Sequence, residues 1–124
     1  MYNAKVIEYF THPRNVGSLP EANGIGMAGN SDDGDQIWIY VQIDKEKIVD
    51  VGFRTFGCAA AIATSSMATE LALGKSPQEA LRISNADIAA ALGGLPACKL
   101  DCSNFAANAL HAAIENFQKS STPP

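Results

Sequence analysis

The chain lacks a block of basic residues, a long apolar run and a dense set of cysteines. Lysine and arginine total 9 against 13 acidic residues, for a formal net charge of −4. Without a basic face there is no electrostatic footprint for nucleic acid. No apolar run approaches the roughly 20 residues that a membrane-spanning helix needs, so no membrane role is expected. The first residues, Met1-Tyr2-Asn3-Ala4-Lys5-Val6, show neither the apolar core nor the cleavage site of a secretory signal. The expectation is a cytoplasmic protein in a reducing compartment. Its 3 cysteines are irregularly spaced and make no disulfide framework. Together they read as metal ligands or reactive thiols. Any one of them alone reads first as a small buried apolar residue.

What is present suits one globular domain. The chain has 124 residues, 47% hydrophobic and 18% charged. No linker or repeat divides it, so residues 1–124 are read as a single domain, with the polar 119–124 tail (KSSTPP) expected to fray. Asn3 can cap a first helix with Val6, Ile7 and Phe10 as its apolar stripe, ended by Pro13. The Gly- and Asn-rich stretch 17–35 is long for a structureless loop. It either has a functional task or holds a short edge strand near 25–28. Ile37, Ile39, Val41 and Ile43 alternate with polar and aromatic residues, which predicts a strand over 36–44. A polar turn at 44–47 leads to Val49, Val51 and Phe53 in a hairpin partner. From Ala59 the period becomes helical, with Ile62, Met67 and Leu71 as anchors and Gly74 as the stop. Ser76-Pro77-Gln78-Glu79 is a capping box that opens a short helix through Ile83. Asn85 can cap the next, 86–92. A final helix from near Cys102 to about Lys119 turns Phe105, Leu110, Ile114 and Phe117 inward. The predicted class is α+β, a small antiparallel sheet of about three strands packed against a layer of helices.

Cys58 and Cys102 both fall where a strand or loop runs into a helix. Free N–H groups and the positive end of the dipole there favour the thiolate, the form that binds metals and attacks electrophiles. Asp33-Gly34-Asp35 lies at the mouth of the best strand. Thiolates and carboxylates converging from separate loops would suit iron or zinc. Asp-Gly-Asp is equally ordinary turn chemistry. Lys99 reads as a support for a nearby thiolate or as a solvated loop charge. His12 and His111 read as structural.

Several ordered pieces carry a family resemblance. They are His12-Pro13-Arg14-Asn15-Val16-Gly17, Gly34-Asp35 before a strand, Phe53-Arg54-Thr55-Phe56-Gly57-Cys58, Ala61-Ile62-Ala63-Thr64-Ser65-Ser66, Asn85-Ala86-Asp87-Ile88-Ala89, Leu92-Gly93-Gly94-Leu95-Pro96 and Cys102-Ser103. Over nearly its whole length the chain resembles the IscU/NifU-type iron–sulfur scaffold family, and is nearer to the N-terminal domain of NifU. The resemblance implies a non-enzymatic scaffold or carrier on which a [2Fe–2S] cluster is built with sulfur from a cysteine desulfurase and passed to acceptor proteins. It also leaves room for a homo-oligomer sharing a cluster between protomers. The family's second and third cysteines correspond to Cys58 and Cys102, and its aspartate to Asp35. Its first cysteine corresponds to Asp33, and the histidine before its last cysteine to Asp101. Cys98 falls in a segment that serves relatives as a chaperone docking motif, and the missing second proline counts against that docking here.

These departures leave the ligand set open. Asp33 keeps a negative charge but substitutes a hard oxygen for sulfur, which makes a cluster more labile. Asp35, Cys58, Cys98 and Cys102 would restore three thiolates if Cys98 turns inward. Asp101 reads first as the N-cap of the last helix and second as a ligand. Cys102, then Cys98, are the candidate persulfide acceptors. The alternative is a relative that holds one zinc or iron ion through Asp33, Asp35, Cys58 and Cys102, as a regulator or interaction partner in the same pathway. A thiol–disulfide role for Cys98 and Cys102 fits less well, because their spacing exceeds Cys-x-x-Cys by one residue.

Overall fold

The computed structural model describes residues 3–30, 35–57, 59–94 and 100–121, with the backbone alone at 30, 35, 100–103 and 120–121. Eight elements follow in order: α1 (Ala4–Thr11), β1 (Gly24–Asn30), β2 (Asp35–Asp44), β3 (Lys47–Phe56), α2 (Ala59–Ala72), α3 (Pro77–Ala80), α4 (Asn85–Ala91) and α5 (Leu100–Ser121). The strands form one antiparallel sheet in the order β1-β2-β3. The helices gather against one face of it. Ile37, Ile39, Val41, Val51 and Phe53 from that face meet Val6, Met67, Ile88, Leu92, Leu110 and Ile114 in a single core. The α+β class and the three-stranded antiparallel sheet are as the sequence predicts. The edge strand expected near 25–28 is β1.

Strand β2 follows its alternation, with Ile37, Ile39, Val41 and Ile43 all buried. Strand β3 departs from it. The register slips between Gln42 and Ile43, so that Gln42 faces Asp50 while Ile43 faces Ile48. Val49 is the extra residue of this bulge and stands half exposed, whereas Ile48 takes the inward place expected for Val49. The first helix differs in a similar way. Val6 is buried, but Ile7 and Phe10 of the expected stripe are exposed, and Tyr9 packs on the core instead.

Helix α2 is buried along most of its length, at Ala60, Ala61, Ala63, Thr64, Ser65, Ser66, Met67, Ala68, Thr69 and Ala72. Of the expected anchors only Met67 is fully inside, and Ile62 and Leu71 lie at the margin of the core. A helix covered on nearly all sides has no single apolar stripe to read. Helix α5 lies on β1, made possible by Gly24 and Gly26. A Cβ on Gly26 would strike the Ala109 carbonyl and the Ala113 amide, and one on Gly24 would strike the Ala113 carbonyl. Leu110 and Ile114 point to the core as expected, while Phe105 and Phe117 sit at its edge.

The helix ends obey local chemistry. The Asn3 carboxamide accepts from the Val6 amide at 2.9 Å. The Ser76–Glu79 capping box is present. The α4 cap is Ser84, which pairs with Asp87 in a second box, one residue ahead of the expected Asn85. Helix α5 begins at Leu100, so Asp101 is a first-turn acid and not the residue in front of the helix.

Candidate functional site

Asp33, Cys58, Cys98 and Lys99 lie outside the described residues, and Asp35, Asp101 and Cys102 are described by their backbone. The elements that carry them still fix which chain segments meet. Asp35 is the first residue of β2 and pairs with Asn30 across the β1–β2 connection. The neighbouring Gln36 faces Phe56, so β2 starts beside the place where β3 ends. Gly57 and Cys58 are the whole connection from β3 to α2.

The third segment follows from the run of α5. Gly24 lies against Ala113 and Phe117, and Gly26 against Ala109 and Ala113, so α5 runs antiparallel to β1. From Gly26 to Asn30 a strand advances about 13 Å. A helix covers that distance in about nine residues. Counting back from the level of Gly26 brings Asn30 level with the first turn of α5, where Cys102 is the third residue. The turn into β2, the β3–α2 connection and the start of α5 thus share one end of the sheet. Cys98 precedes α5 by two residues in the sequence and lies outside the described residues.

A network of buried hydroxyls stands behind this end. Ser65 Oγ lies 2.9 Å from Thr55 Oγ1 and donates to the Ala61 carbonyl at 2.7 Å. Its single proton is used there, so Thr55 donates across the strand–helix junction. Ser66 Oγ accepts from the Arg14 amide at 2.7 Å and donates to the Arg14 carbonyl at 3.3 Å. Thr69 accepts from the Asn15 carboxamide at 3.0 Å, which also reaches Glu70 at 3.2 Å. Segment 12–17 then closes the circuit on β3. The Gly17 amide donates to the Phe53 carbonyl at 2.7 Å, and the Phe53 amide to the Asn15 carbonyl at 2.9 Å. Asn15 holds a left-handed φ of 64° to do this. Gly52 is required beneath the crossing, since a Cβ there would come 2.5 Å from the Gly17 carbonyl oxygen.

Reading from sequence gives these hydroxyls no role of their own. The available signal was the hydroxyl-rich run Thr64-Ser65-Ser66 with Thr69 inside an alanine-rich helix. His12 and His111 have structural partners, as expected. His12 Nδ1 lies 3.0 Å from Thr11 Oγ1. His111 Nε2 lies 2.7 Å from the Ile83 carbonyl, which can only accept, so Nε2 carries the proton. The guanidinium of Arg14 stacks 4.2 Å from the Tyr9 ring and binds Glu8 at 2.6 Å, and that hydrogen bond raises its pKa further. Asn3 Nδ2 donates to the Gly94 carbonyl at 3.1 Å, tying the start of α1 to the entrance of the segment that holds Cys98.

On the outer sheet face Trp38, Tyr40, Arg54 and Phe56 line a shallow cavity of about 290 Å³, with Phe56 at the same end of the sheet. Among the described residues no group of three or more His, Cys, Asp or Glu comes together, and no helix is long and apolar enough to cross a membrane.

The chain is similar to known proteins. The iron-sulfur cluster assembly scaffold protein IscU 1 of Archaeoglobus fulgidus is 53% identical over 117 residues, 94% of this chain and 76% of its own. The iron-sulfur cluster assembly scaffold protein IscU of Aquifex aeolicus is 47% identical over 118 residues, 94% of this chain and 75% of its own. The crystal structure of a NifU-like N-terminal protein from Brucella abortus superposes with a TM-score of 0.74 at 16% identity, over 96% of this chain and 95% of that one, and so shares the fold. The family model for the NifU-like N terminal domain matches residues 1–123, and the chain belongs to that family.

Proposed function

We propose that this protein is a scaffold on which a [2Fe–2S] cluster is assembled and from which it is transferred. The observation that carries this is the meeting of three chain segments, those bearing Asp35, Cys58 and Cys102, at one end of the sheet. The names of its relatives as cluster assembly scaffolds support the same role. The cluster is cargo, bound by thiolates near two helix starts and surrendered by ligand exchange. Sulfur arrives from a cysteine desulfurase. The Cys102 thiolate attacks the outer sulfur of the donor's persulfide, a new S–S bond forms on Cys102, and the donor's thiolate leaves. Reduction of that sulfur to sulfide takes two electrons from an external reductant. Asp35 is the oxygen ligand, and Cys98 supplies the third thiolate in place of Asp33. Asp101 is held in reserve as a ligand, and Lys99 supports the charge. The protein turns over no substrate of its own; its partners are the desulfurase and the cluster acceptors.

Asp33 in place of a thiolate favours one other reading, a single zinc or iron ion held by Asp33, Asp35, Cys58 and Cys102. Anaerobic reconstitution with iron and sulfide, followed by Mössbauer spectroscopy and metal analysis, separates the two. The scaffold gives a [2Fe–2S] signal with acid-labile sulfide that Cys58→Ser abolishes and Cys98→Ala weakens. One tightly bound metal ion without labile sulfide overturns it. A Cys98→Ala protein with unchanged yield and spectrum removes Cys98 from the ligand set.

A further inference from the structure

The connection that carries Cys58 is only two residues long, and both of its flanks are tied to each other by side chains. Thr55 precedes Cys58 by three residues and Ser65 follows it by seven. Thr55 sits opposite Ile37 on the inner face of the sheet. Ser65 is fully buried in α2. Their hydroxyls meet at 2.9 Å. A hydroxyl pair at the core's edge is an unusual way to join a strand to a helix, because an apolar pair would pack there without needing a defined angle. Hydrogen bonds impose direction where dispersion does not.

The next residue of α2 continues the pattern. Ser66 grips both the amide and the carbonyl of Arg14, and Thr69 holds the Asn15 side chain. Segment 12–17 is itself bonded to β3 at Phe53. The result is a closed loop of contacts, from β3 to segment 12–17, from there to α2, and from α2 back to β3 through Thr55. No buried side-chain polar atom among the described residues is left without a partner.

We infer that the Thr55–Ser65 hydroxyl contact is a positioning contact for Cys58, the keystone of a polar frame that holds the β3–α2 connection at a fixed angle to the other ligand-bearing segments. It deepens the scaffold reading and rests on it. Thr55 and Ser65 touch no metal in this view. They act through the backbone on either side of the ligand, one step further out than the hydrogen-bonded neighbours that orient ligands in metal sites generally. Segment 12–17 acquires a role by the same account, since it braces the strand and the helix on either side of Cys58.

The test uses the whole chain in two states. In the metal-free protein, hydrogen exchange followed by mass spectrometry reads the 56–60 amides. Thr55→Val removes the donor and keeps the shape, and exchange there rises about tenfold while α5 stays protected. In the second state Co²⁺ is titrated and thiolate-to-metal absorption gives the affinity. Thr55→Val weakens binding about tenfold, comparable to the loss of other outer partners of metal ligands. Thr55→Ser restores it, and the effect of Thr55→Val disappears in a Cys58→Ser background. Ser65→Ala breaks the contact from the helix side and gives the same result should the strand variant fold poorly. Unchanged exchange at 56–60 overturns the inference, and so does an equal loss of affinity with and without Cys58. A parent protein that binds no Co²⁺ overturns the scaffold reading instead, and the exchange result still decides the frame.

Discussion

Helices α2 and α5 each begin beside a candidate thiolate, yet they are held in opposite ways. Helix α2 is fixed by direction. Ser65, Ser66 and Thr69 each bond to another element, and its apolar anchoring is confined largely to Met67 and small alanines. Helix α5 is fixed by proximity. Gly24 and Gly26 let its backbone lie directly on β1, and Leu110 and Ile114 fill the core behind. Hydrogen bonds define an angle. Close packing defines a distance and tolerates almost no added atom. On the proposed scaffold reading, a site drawn from both helices would join one segment whose angle is specified to one whose separation is specified.

That contrast can be broken at several points. The largest effect belongs to α5. Gly26→Val places a side chain against the Ala109 carbonyl and the Ala113 amide, where backbone must move. A loss of at least about 3 kcal/mol is expected, read as a fall in the urea midpoint with α5 amides exchanging fastest. A near-neutral result would show that α5 can lift from β1 freely and would end the distinction.

A smaller loss is expected on the other helix. Ser66→Ala leaves the Arg14 amide without its 2.7 Å acceptor. A cost of about 1–2 kcal/mol should appear, with faster exchange in segment 12–17 and none in α5. If α5 loosened in step, the two helices would form one cooperative unit and not two differently held ones.

The smallest effect lies outside both. The Ser76 amide, and then its hydroxyl, hold the Glu79 carboxyl below its ordinary pKa. A depressed carboxylate contributes stability that is present above its unfolded value and lost as pH falls through its folded value. Glu79→Gln should therefore reduce stability slightly at neutral pH and flatten the acid limb. Urea midpoints of parent and variant between neutral and acidic pH should converge as pH falls. Divergence on acidification would contradict the capping geometry.

The sequence made some of these features plain and hid others for physical reasons. Strand β2 is legible because Ile37 to Ile43 keep an unbroken alternation. The capping chemistry at Asn3 and Ser76 is local and was read correctly. At α4 two adjacent residues could cap, and only Ser84 has an acid three positions on to complete the box. Val49 departs from its expected inward place because a bulge is a register property shared between two strands, and one strand's pattern cannot reveal it. The anchors of α2 were overestimated because small residues pack by fitting and carry little hydropathy. Gly24 and Gly26 fall in a stretch that reads as a functional loop or a short edge strand, and the need for glycine there is hidden, since the close approach of α5 comes from far along the chain. Of the candidate site, the residue types and family correspondence were legible. The hydroxyl frame was not, because its partners Arg14 and Ser66 are 52 residues apart.

One further consequence follows from two asparagines. The Ile25 amide on β1 is taken by the Asn116 side chain of α5 at 3.1 Å. On the far side, Phe53 of β3 is taken by the main chain of Asn15 and Gly17. At these positions both margins of the sheet are already occupied, so an incoming chain cannot dock there by strand addition. There a visiting protein meets side chains and not free main-chain groups. On the proposed scaffold reading, recognition without main-chain zippering at these positions would keep each encounter reversible and guard the unloaded protein against stacking on its own copies.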